Sequence, residues 1–396
     1  MIRILPGGGG AAGTARRLLA GFFLSLLAVL PAASSVPVGP DESFTRRLDA
    51  RIPRLMSRYD VPGLGIALIR DGEIVWQEAY GTAVSGRPLS VDSIFRAESI
   101  SKSVTAWGVL TLVERGLIEL DAPVNRYLED FRLPESPYDE ERVTVRGLLS
   151  GNAGMVLGPV GPSVEYAPGS PRPALREALA GTVRMNREPG AGFEYSNVGF
   201  NLLELVVENV SGRPFAEYMA EEVLVPLGME DSSYEWHEGI RARGAAGHDL
   251  KGRLVPAYVY SEKGSGGLFT TVRDIAAFVR AGMRVHGGEG AGVLSPESVL
   301  ALHSESAAVS GMFGAVTDAY GFGHFTERLS DGRRAVWHGG QGHGWMTHFH
   351  SVPESGDGIV ILTNTQRSWP LISVILADWS RRSEEHTSEL QSRITI

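Results

Sequence analysis

The sequence predicts an α+β fold in which strands from both ends of the chain form one antiparallel sheet that is flanked by helices. Three observations support this prediction. Residues 64–80 alternate in polarity around Asp71-Gly72, as a hairpin does. Helical spacing dominates the middle of the chain, from about 100 to 303, and strand patterns return after 320. A sheet built in this way needs a layer of helices on each face.

The first 35 residues have the composition of an export signal. Arg16-Arg17 precede the apolar run 18–30, and small residues follow at 32–35. This order is typical of a secretory leader, and the run is too short to cross a membrane comfortably. We therefore expect a signal peptide over 1–35 and an exported protein, located in the bacterial periplasm, in the cell envelope or outside the cell. A retained N-terminal anchor is the alternative.

Local patterns predict the elements of the domain. Val104, Trp107 and Leu110 recur at helical spacing and Gly116 follows as a C-terminal cap, which predicts a helix over 100–115. Further helices are expected at about 198–210, 215–224, 271–283 and 296–303, and from Pro370 onward. Strands are expected over 320–329, 333–341, 344–352 and 358–365.

Ser99 and Lys102 form the most informative pattern, Ser-x-x-Lys, at the start of the helix predicted over 100–115. Residues three apart share a helix face, so the hydroxyl and the amine can meet. A serine hydroxyl is a weak nucleophile until a base takes its proton, and a lysine can be that base only when burial leaves it neutral. The pattern predicts a serine enzyme that transfers acyl groups. Alone it is weak evidence, because short patterns also arise by chance.

Two further motifs strengthen this interpretation. Tyr195-Ser-Asn197 stands just before a predicted helix, and His338-Gly-Gly340 lies on a late strand. With Ser-x-x-Lys, in this order, they resemble the active-site set of the β-lactamase and penicillin-binding-protein superfamily, in its class C branch. That branch also contains D-Ala-D-Ala carboxypeptidases, D-aminopeptidases and serine esterases. The resemblance covers about residues 44–381 and implies a β-lactamase/transpeptidase-like fold with an inserted, mostly helical subdomain. We expect the catalytic domain over 41–381.

The resemblance implies a role for each motif residue. Ser99 would attack the acyl carbonyl, and Lys102 would take its proton. Tyr195 would have its pKa lowered by neighbouring cations and would relay protons. Asn197 would hydrogen-bond the substrate amide or orient Lys102. The backbone N–H groups of Ser99 and Gln341 would form the oxyanion hole.

His338 departs from the family pattern, because many members have Lys-Thr-Gly at the position of His338-Gly-Gly340. A lysine can hold the carboxylate of a β-lactam or a peptide, whereas an imidazole is mostly neutral at about pH 7. The departure therefore favours a peptidase or an esterase over an efficient β-lactamase. We expect His338 to contact a substrate carboxylate when protonated, with a structural histidine as the alternative. Gly340 would let the substrate backbone approach the strand.

Composition narrows the choice of partners and cofactors. The formal net charge is −9 and the chain contains no cysteine. An acidic chain argues against nucleic acid or anionic lipid as the target, and the missing cysteines exclude disulfides and metal thiolates. His348 and His350 share one strand face, but no His-Glu-x-x-His pattern accompanies them. We expect no cofactor and no metal, and a small-molecule or peptide substrate such as a peptidoglycan stem peptide.

The end of the chain differs from the rest of the sequence. The segment from Arg382 to Ser392 corresponds to the translation of a common short-read sequencing adapter. We therefore expect residues 382–396 to be an assembly artefact that plays no part in the fold, with a natural polar tail as the alternative. Related envelope proteins sometimes continue into a membrane-spanning region. A membrane attachment through a lost C-terminal region is therefore left open.

Together these patterns predict a serine hydrolase that works through a covalent acyl-enzyme. The first hypothesis for its substrate is a cell-wall D-peptide, cleaved by a carboxypeptidase-like or aminopeptidase-like activity. A carboxylesterase or a weak β-lactamase is the alternative within the same chemistry. A catalytically silent protein that binds cell-wall peptide is the alternative outside it.

Overall fold

The computed structural model describes residues 41–84, 86–284, 292–310 and 313–394. Residues 48–396 form one compact unit, and the unit before them, which ends at Arg47, is described only from Asp41 onward. The expected leader, residues 1–35, lies outside the described residues and stays a prediction. Within the described ranges, no helix combines the length and the apolar character that a membrane crossing requires.

A nine-stranded antiparallel sheet forms the centre of the fold. Its strands are β1 (Gly63–Arg70), β2 (Glu73–Val84), β3 (Arg87–Pro88), β8 (Ala307–Ala308), β9 (Ala319–Tyr320), β10 (Phe325–Arg328), β11 (Arg334–Gly342), β12 (Trp345–Val352) and β13 (Asp357–Thr363). They lie in the order β3-β2-β1-β13-β12-β11-β10-β9-β8. The first strand therefore pairs with the last one in the middle of the sheet, which confirms that the sheet is assembled from both ends of the domain.

The remaining elements surround this sheet. The helices are α1 (Asp41–Tyr59), α2 (Ile100–Glu114), α3 (Val145–Leu149), α4 (Leu175–Thr182), α5 (Asn197–Ser211), α6 (Phe215–Met219), α7 (Glu238–Arg243), α8 (Val272–Arg284), α9 (Pro296–Leu302) and α10 (Trp369–Ile394). Two small sheets pair β4 (Phe95–Arg96) with β7 (Phe269–Thr270), and β5 (Gly247–His248) with β6 (Leu254–Val255).

The turn between β1 and β2 shows how local sequence sets the register. Asp71 and Gly72 both have positive φ, 49° and 74°. Two-residue hairpin turns that match the twist of the strands need this conformation, which glycine adopts without a steric penalty and aspartate tolerates. The turn therefore lies where the sequence predicts it.

Helices cover the two faces of the sheet. Phe278 of α8 packs against Phe349 of β12, with ring centroids 6.1 Å apart. The next residue, His350, has its ring 5.5 Å from that of Trp379 in α10. Because successive residues of a strand point to opposite faces, α8 and α10 lie on different sides of the sheet. This arrangement confirms the expected helix layers.

Helix α2 connects the sheet to the helical subdomain. It packs against α5, α6 and β11, and every residue from Ile100 to Leu112 is buried. A helix that is buried all round belongs to the core of a protein. Trp107 is fully buried and lies 5.5 Å, between ring centroids, from Phe278. The start of α2 is therefore held from several directions.

Most of the predicted elements agree with the structure. The predicted strand over 320–329 is split into β9 and β10 by a turn. Helices α1, α3, α4 and α7 were missed, although α1 carries the buried residues Leu48, Ile52 and Leu55 at helical spacing. The backbone of residues 382–394 continues α10, and the expected artefactual origin of 382–396 stays a prediction.

Replacing Trp107 with alanine is expected to lower the free energy of unfolding by about 3–5 kcal/mol, because the change leaves a cavity in the core. Urea denaturation followed by circular dichroism measures the loss. Trp369→Ala is the matched control, because this tryptophan is 38% exposed. An equal loss in the two variants would contradict the central position of α2.

Candidate active site

The Ser99 hydroxyl is presented at the N-terminus of α2 and is not used as a helix cap. Ser99 is the N-cap residue, with φ −64° and ψ −9°, and its side chain forms no capping hydrogen bond. The turn is closed by the backbone, since the Lys102 N–H donates to Ser99 O at 3.1 Å. The positive end of the helix dipole also lies here. The hydroxyl is therefore available for chemistry beside a favourable electrostatic field.

The amine of Lys102 lies next to this hydroxyl. Its Nζ donates to Ser99 Oγ at 3.1 Å and to Ser265 O at 2.8 Å. The residue is 0% exposed. The structure thus brings together the two side chains of the Ser-x-x-Lys pattern, as residues three apart on a helix allow.

Burial changes the protonation of Lys102. It lowers the pKa of the amine from 10.5 to about 7, because the interior solvates an ammonium ion poorly, while the negative charge of Glu98 acts in the opposite direction. A large fraction of the amine is therefore neutral at neutral pH. A neutral amine that donates to Ser265 O still has a lone pair for the Ser99 proton. The pair can therefore generate the serine nucleophile.

Glu98, which the sequence analysis missed, directly precedes Ser99 and stabilises the turn that leads into α2. It has a left-handed backbone with φ 50°, which costs a non-glycine residue about 1–2 kcal/mol. Its carboxylate accepts hydrogen bonds from Arg96 Nε at 2.8 Å and from the Tyr258 and Tyr260 hydroxyls at 2.9 and 3.0 Å. Arg96 is buried and lies over the Tyr258 ring at 4.1 Å. These contacts offset the backbone cost and fix the turn that presents Ser99.

Tyr195 lies beside the Ser99–Lys102 pair. Its ring stacks on Phe325 with centroids 6.0 Å apart, and Lys102 Nζ lies 4.9 Å from the centroid of the Tyr195 ring. The expected low pKa is wrong, because burial raises the pKa of the Tyr195 phenol and the hydrogen bond with Ser99 opposes this only in part. The phenol is protonated at neutral pH. It can donate or relay a proton beside Ser99, but it is a poor base.

Two glycines let β11 lie directly against the turn Ala97–Ser99, which we call the nucleophile turn. A β-carbon on Gly340 would lie 2.2 Å from Ala97 O, and one on Gly342 would lie 2.2 Å from the carboxyl carbon of Glu98. Only glycine permits this approach. Gly340 is buried against the protein, which corrects its expected role as a substrate contact. Gln341 lines the cleft. That its backbone N–H contributes to an oxyanion hole stays a prediction.

His338 is enclosed by the fold. It is 1% exposed, its Nδ1 lies 2.8 Å from Gly339 O, and its Nε2 lies 3.3 Å from the Tyr320 hydroxyl. Nδ1–H therefore donates to the carbonyl, and Nε2 accepts from the hydroxyl. Burial and, second, the charge of Lys102 lower the pKa of His338 well below 6.5. These contacts contradict the expected cationic contact with a substrate carboxylate and favour the structural alternative.

A cleft of about 90 Å³ opens in front of Ser99. Pro159, Val160 and Val198 give it an apolar wall, while Asn197 and Gln341 belong to its polar side. Two of its described lining residues are acidic, Glu98 and Glu262, and none of them is a lysine or an arginine. The cleft therefore suits a small acyl group, and its described lining offers no lysine or arginine to a substrate carboxylate.

Helix α5 holds the loop that contacts Lys102. Asn201 Oδ1 accepts from the Ser265 N–H at 3.1 Å, and Glu204 accepts from the Gly264 N–H at 2.7 Å. The sequence analysis missed both residues, although a signal was present. Asn197, Asn201 and Glu204 recur at i, i+4 and i+7, which places three polar side chains on one face of a largely buried helix.

A serine at a helix N-terminus, the buried lysine hydrogen-bonded to it and the surrounding α+β fold are features of the serine hydrolases that use a lysine beside the serine. Comparison with known proteins agrees with this class. The family model described as Beta-lactamase matches residues 48–374, and the chain belongs to that family.

Individual relatives show a range of activities within one fold. Esterase EstB of Burkholderia gladioli is 28% identical over 371 residues, which cover 82% of this chain and 91% of the esterase. The octameric penicillin-binding protein homologue of Pyrococcus abyssi superposes with a TM-score of 0.69 at 26% identity, over 84% of this chain and 77% of that one. A class C beta-lactamase superposes with a TM-score of 0.71 at 17% identity, over 88% and 98% of the two chains. The last likeness concerns the fold alone.

If Lys102 is the base for Ser99, the rate of acylation is expected to rise with pH through about 7 and to level off above it, because only a neutral amine can accept a proton. Below that value kcat/KM falls about tenfold per pH unit. Stopped-flow kinetics with p-nitrophenyl acetate measures the profile. Lys102→Ala is expected to abolish acylation, and Lys251→Ala, at an exposed lysine, is expected to leave the profile unchanged. Near wild-type acylation in Lys102→Ala would contradict the role of the amine.

Replacing Glu98 with alanine is expected to lower the free energy of unfolding by about 3–5 kcal/mol, because the buried Arg96 charge loses its partner. Glu98→Gly is expected to lose about 1 kcal/mol less, because glycine adopts φ 50° without strain. Chemical denaturation of the two variants measures the difference. Equal losses would contradict the contribution of the left-handed backbone.

Proposed function

We propose that this protein is a serine esterase that forms an acyl-enzyme at Ser99 with Lys102 as the general base. The observation that carries the proposal is the completely buried amine, hydrogen-bonded to Ser99 Oγ at 3.1 Å. The lowered pKa of Lys102, about 7, gives a neutral base under physiological conditions. These features support an active enzyme over the silent peptide-binding protein.

Acylation follows from the positions of three side chains. Lys102 takes the proton of Ser99 Oγ as this oxygen attacks the carbonyl carbon. The bond to the leaving group then breaks, and the leaving oxygen takes a proton from the Lys102 ammonium, relayed through the Tyr195 hydroxyl. The backbone N–H groups of Ser99 and Gln341 would stabilise the oxyanion. The lysine is neutral again at the end of this half-reaction.

The charge of the cleft favours esters without a carboxylate. The described lining contains Glu98 and Glu262 but no lysine or arginine, and His338 is neutral inside the fold. A carboxypeptidase substrate or a β-lactam would therefore bring an anion to a site whose described lining has two carboxylates and no lysine or arginine, with His343 already paired to Glu165. The charge of the cleft therefore favours a carboxylesterase over a carboxypeptidase or a β-lactamase. The similarity to Esterase EstB supports the same choice.

An aminopeptidase-like activity on D-peptides is the second candidate, because of one acidic residue. Glu98 is paired with Arg96 at 2.8 Å, so Glu262 is the other acidic side chain of the described lining. The residue is 8% exposed, and burial raises the pKa of its carboxyl. An ammonium group of a substrate would favour the charged carboxylate. A peptidoglycan stem peptide remains the partner proposed for this activity, and the proposed location is the cell envelope.

Paired substrates test the proposal on the purified protein. We expect p-nitrophenyl butyrate to be cleaved at least about tenfold more efficiently than p-nitrophenyl hemisuccinate, which differs by a terminal carboxylate. A D-alanine p-nitroanilide with a free amine tests the second candidate, and its N-acetyl derivative is the control. A fluorophosphonate probe is expected to label the wild type but not Ser99→Ala. Faster turnover of hemisuccinate or of a chromogenic cephalosporin would contradict the esterase assignment.

A further inference from the structure

A second pair of side chains with acid–base chemistry lies at the cleft, outside the Ser-x-x-Lys pair. His343 stands in the turn between β11 and β12, and its Nδ1 lies 2.9 Å from Glu165 Oε2. The imidazole lines the same cleft as Ser99 and is 29% exposed, whereas the Glu165 side chain is only 9% exposed. A carboxylate on one ring nitrogen fixes the tautomer and leaves the other nitrogen as the acceptor. Nε2 is therefore the nitrogen of this cleft-lining residue that can accept a proton.

The neighbouring structure holds this dyad firmly. The Tyr258 hydroxyl shares its single proton between Glu98 Oε1 at 2.9 Å and His343 O at 3.1 Å. The same tyrosine therefore ties the turn of His343 to the residue before Ser99. On the other side, Tyr166 pairs with Val259 through backbone hydrogen bonds of 2.9 and 2.8 Å, which places Glu165 beside the Tyr258 segment. The dyad and the nucleophile turn are thus parts of one network.

Release of the acyl group needs a base that the Ser99–Lys102 pair does not offer on the cleft side. Lys102 is 0% exposed, its Nζ contacts Ser99 Oγ and Ser265 O, and it is not among the described residues that line the cleft. Tyr195 is a poor base, since burial raises its pKa. His343 is the described side chain that lines the cleft and carries an acceptor nitrogen backed by a carboxylate.

We propose that His343, positioned by Glu165, is the general base for deacylation, an inference that rests on the proposed acyl-enzyme. A water molecule in the cleft attacks the carbonyl carbon of the Ser99 ester and gives one proton to His343 Nε2. The C–Oγ bond then breaks, and the imidazolium passes that proton to Oγ through water in the cleft. The product acid gives its remaining proton to solvent and leaves as a carboxylate, and His343 and Ser99 return to their starting forms. Lys102 thus serves the first half-reaction, and His343 serves the second.

Rapid-mixing kinetics with p-nitrophenyl acetate separates the two half-reactions. In His343→Gln we expect the first release of p-nitrophenol to stay within about twofold of wild type, while steady-state turnover falls about a hundredfold, as loss of a general base does. Mass spectrometry is expected to show acetylated Ser99 accumulating in this variant. Hydroxylamine, a nucleophile that needs no base, is expected to restore its turnover. Glu165→Gln, which removes a positioning residue, is expected to slow the same step about tenfold.

The chain offers a matched control on the other face of the sheet, where His350 Nε2 lies 3.1 Å from Glu327. His350→Gln is expected to leave both phases unchanged. Equal slowing of the two phases in His343→Gln, or no change in either, would overturn the deacylation role while leaving the acyl-enzyme intact. Absence of Ser99 labelling in the wild type would instead refute the proposed function itself. The two failures are therefore distinguishable.

Discussion

The burial of the Lys102 amine away from water is the constraint on which the rest of the site depends. A lysine with an ordinary pKa would be an ammonium ion at neutral pH and could not take the Ser99 proton. The completely buried α2 provides the dry environment that Lys102 needs, and the Ser265 carbonyl gives the amine a hydrogen-bond acceptor. The core of the domain therefore serves chemistry as well as stability.

Several features that cost folding free energy support the Ser99–Lys102 pair. Burial raises the pKa of Glu204 to about 8, yet its carboxyl is retained because it holds the backbone of the loop that carries Ser265. Glu98 keeps a strained backbone and pairs with a buried arginine directly before the nucleophile. Gly340 and Gly342 have no β-carbon, which allows β11 to approach the same turn. Strain and buried charge are concentrated around Ser99, as they are at functional sites in general.

The sequence predicted what local spacing controls. The Asp71-Gly72 turn, the helix that begins after Ser99 and the Ser99–Lys102 contact all follow from residues that are close in the chain. Within the site, the wrong or missed predictions concern long-range packing. Tyr195 and His338 have their protonation set by burial among rings from β9 and β10, and the role of Glu98 depends on Tyr258 and Tyr260, about 160 residues away. Such contacts leave no periodic trace in the sequence.

The titration of Lys102 tests the central claim most directly. The chain contains three lysines, so protein labelled with ¹³C at the lysine ε-carbon gives three signals, and the one lost in Lys102→Ala identifies this residue. We predict that its signal titrates near pH 7, in accord with the lowered pKa of the buried amine. A signal that remains that of an ammonium ion up to about pH 9 would contradict the account, because the base would then be charged wherever the enzyme works.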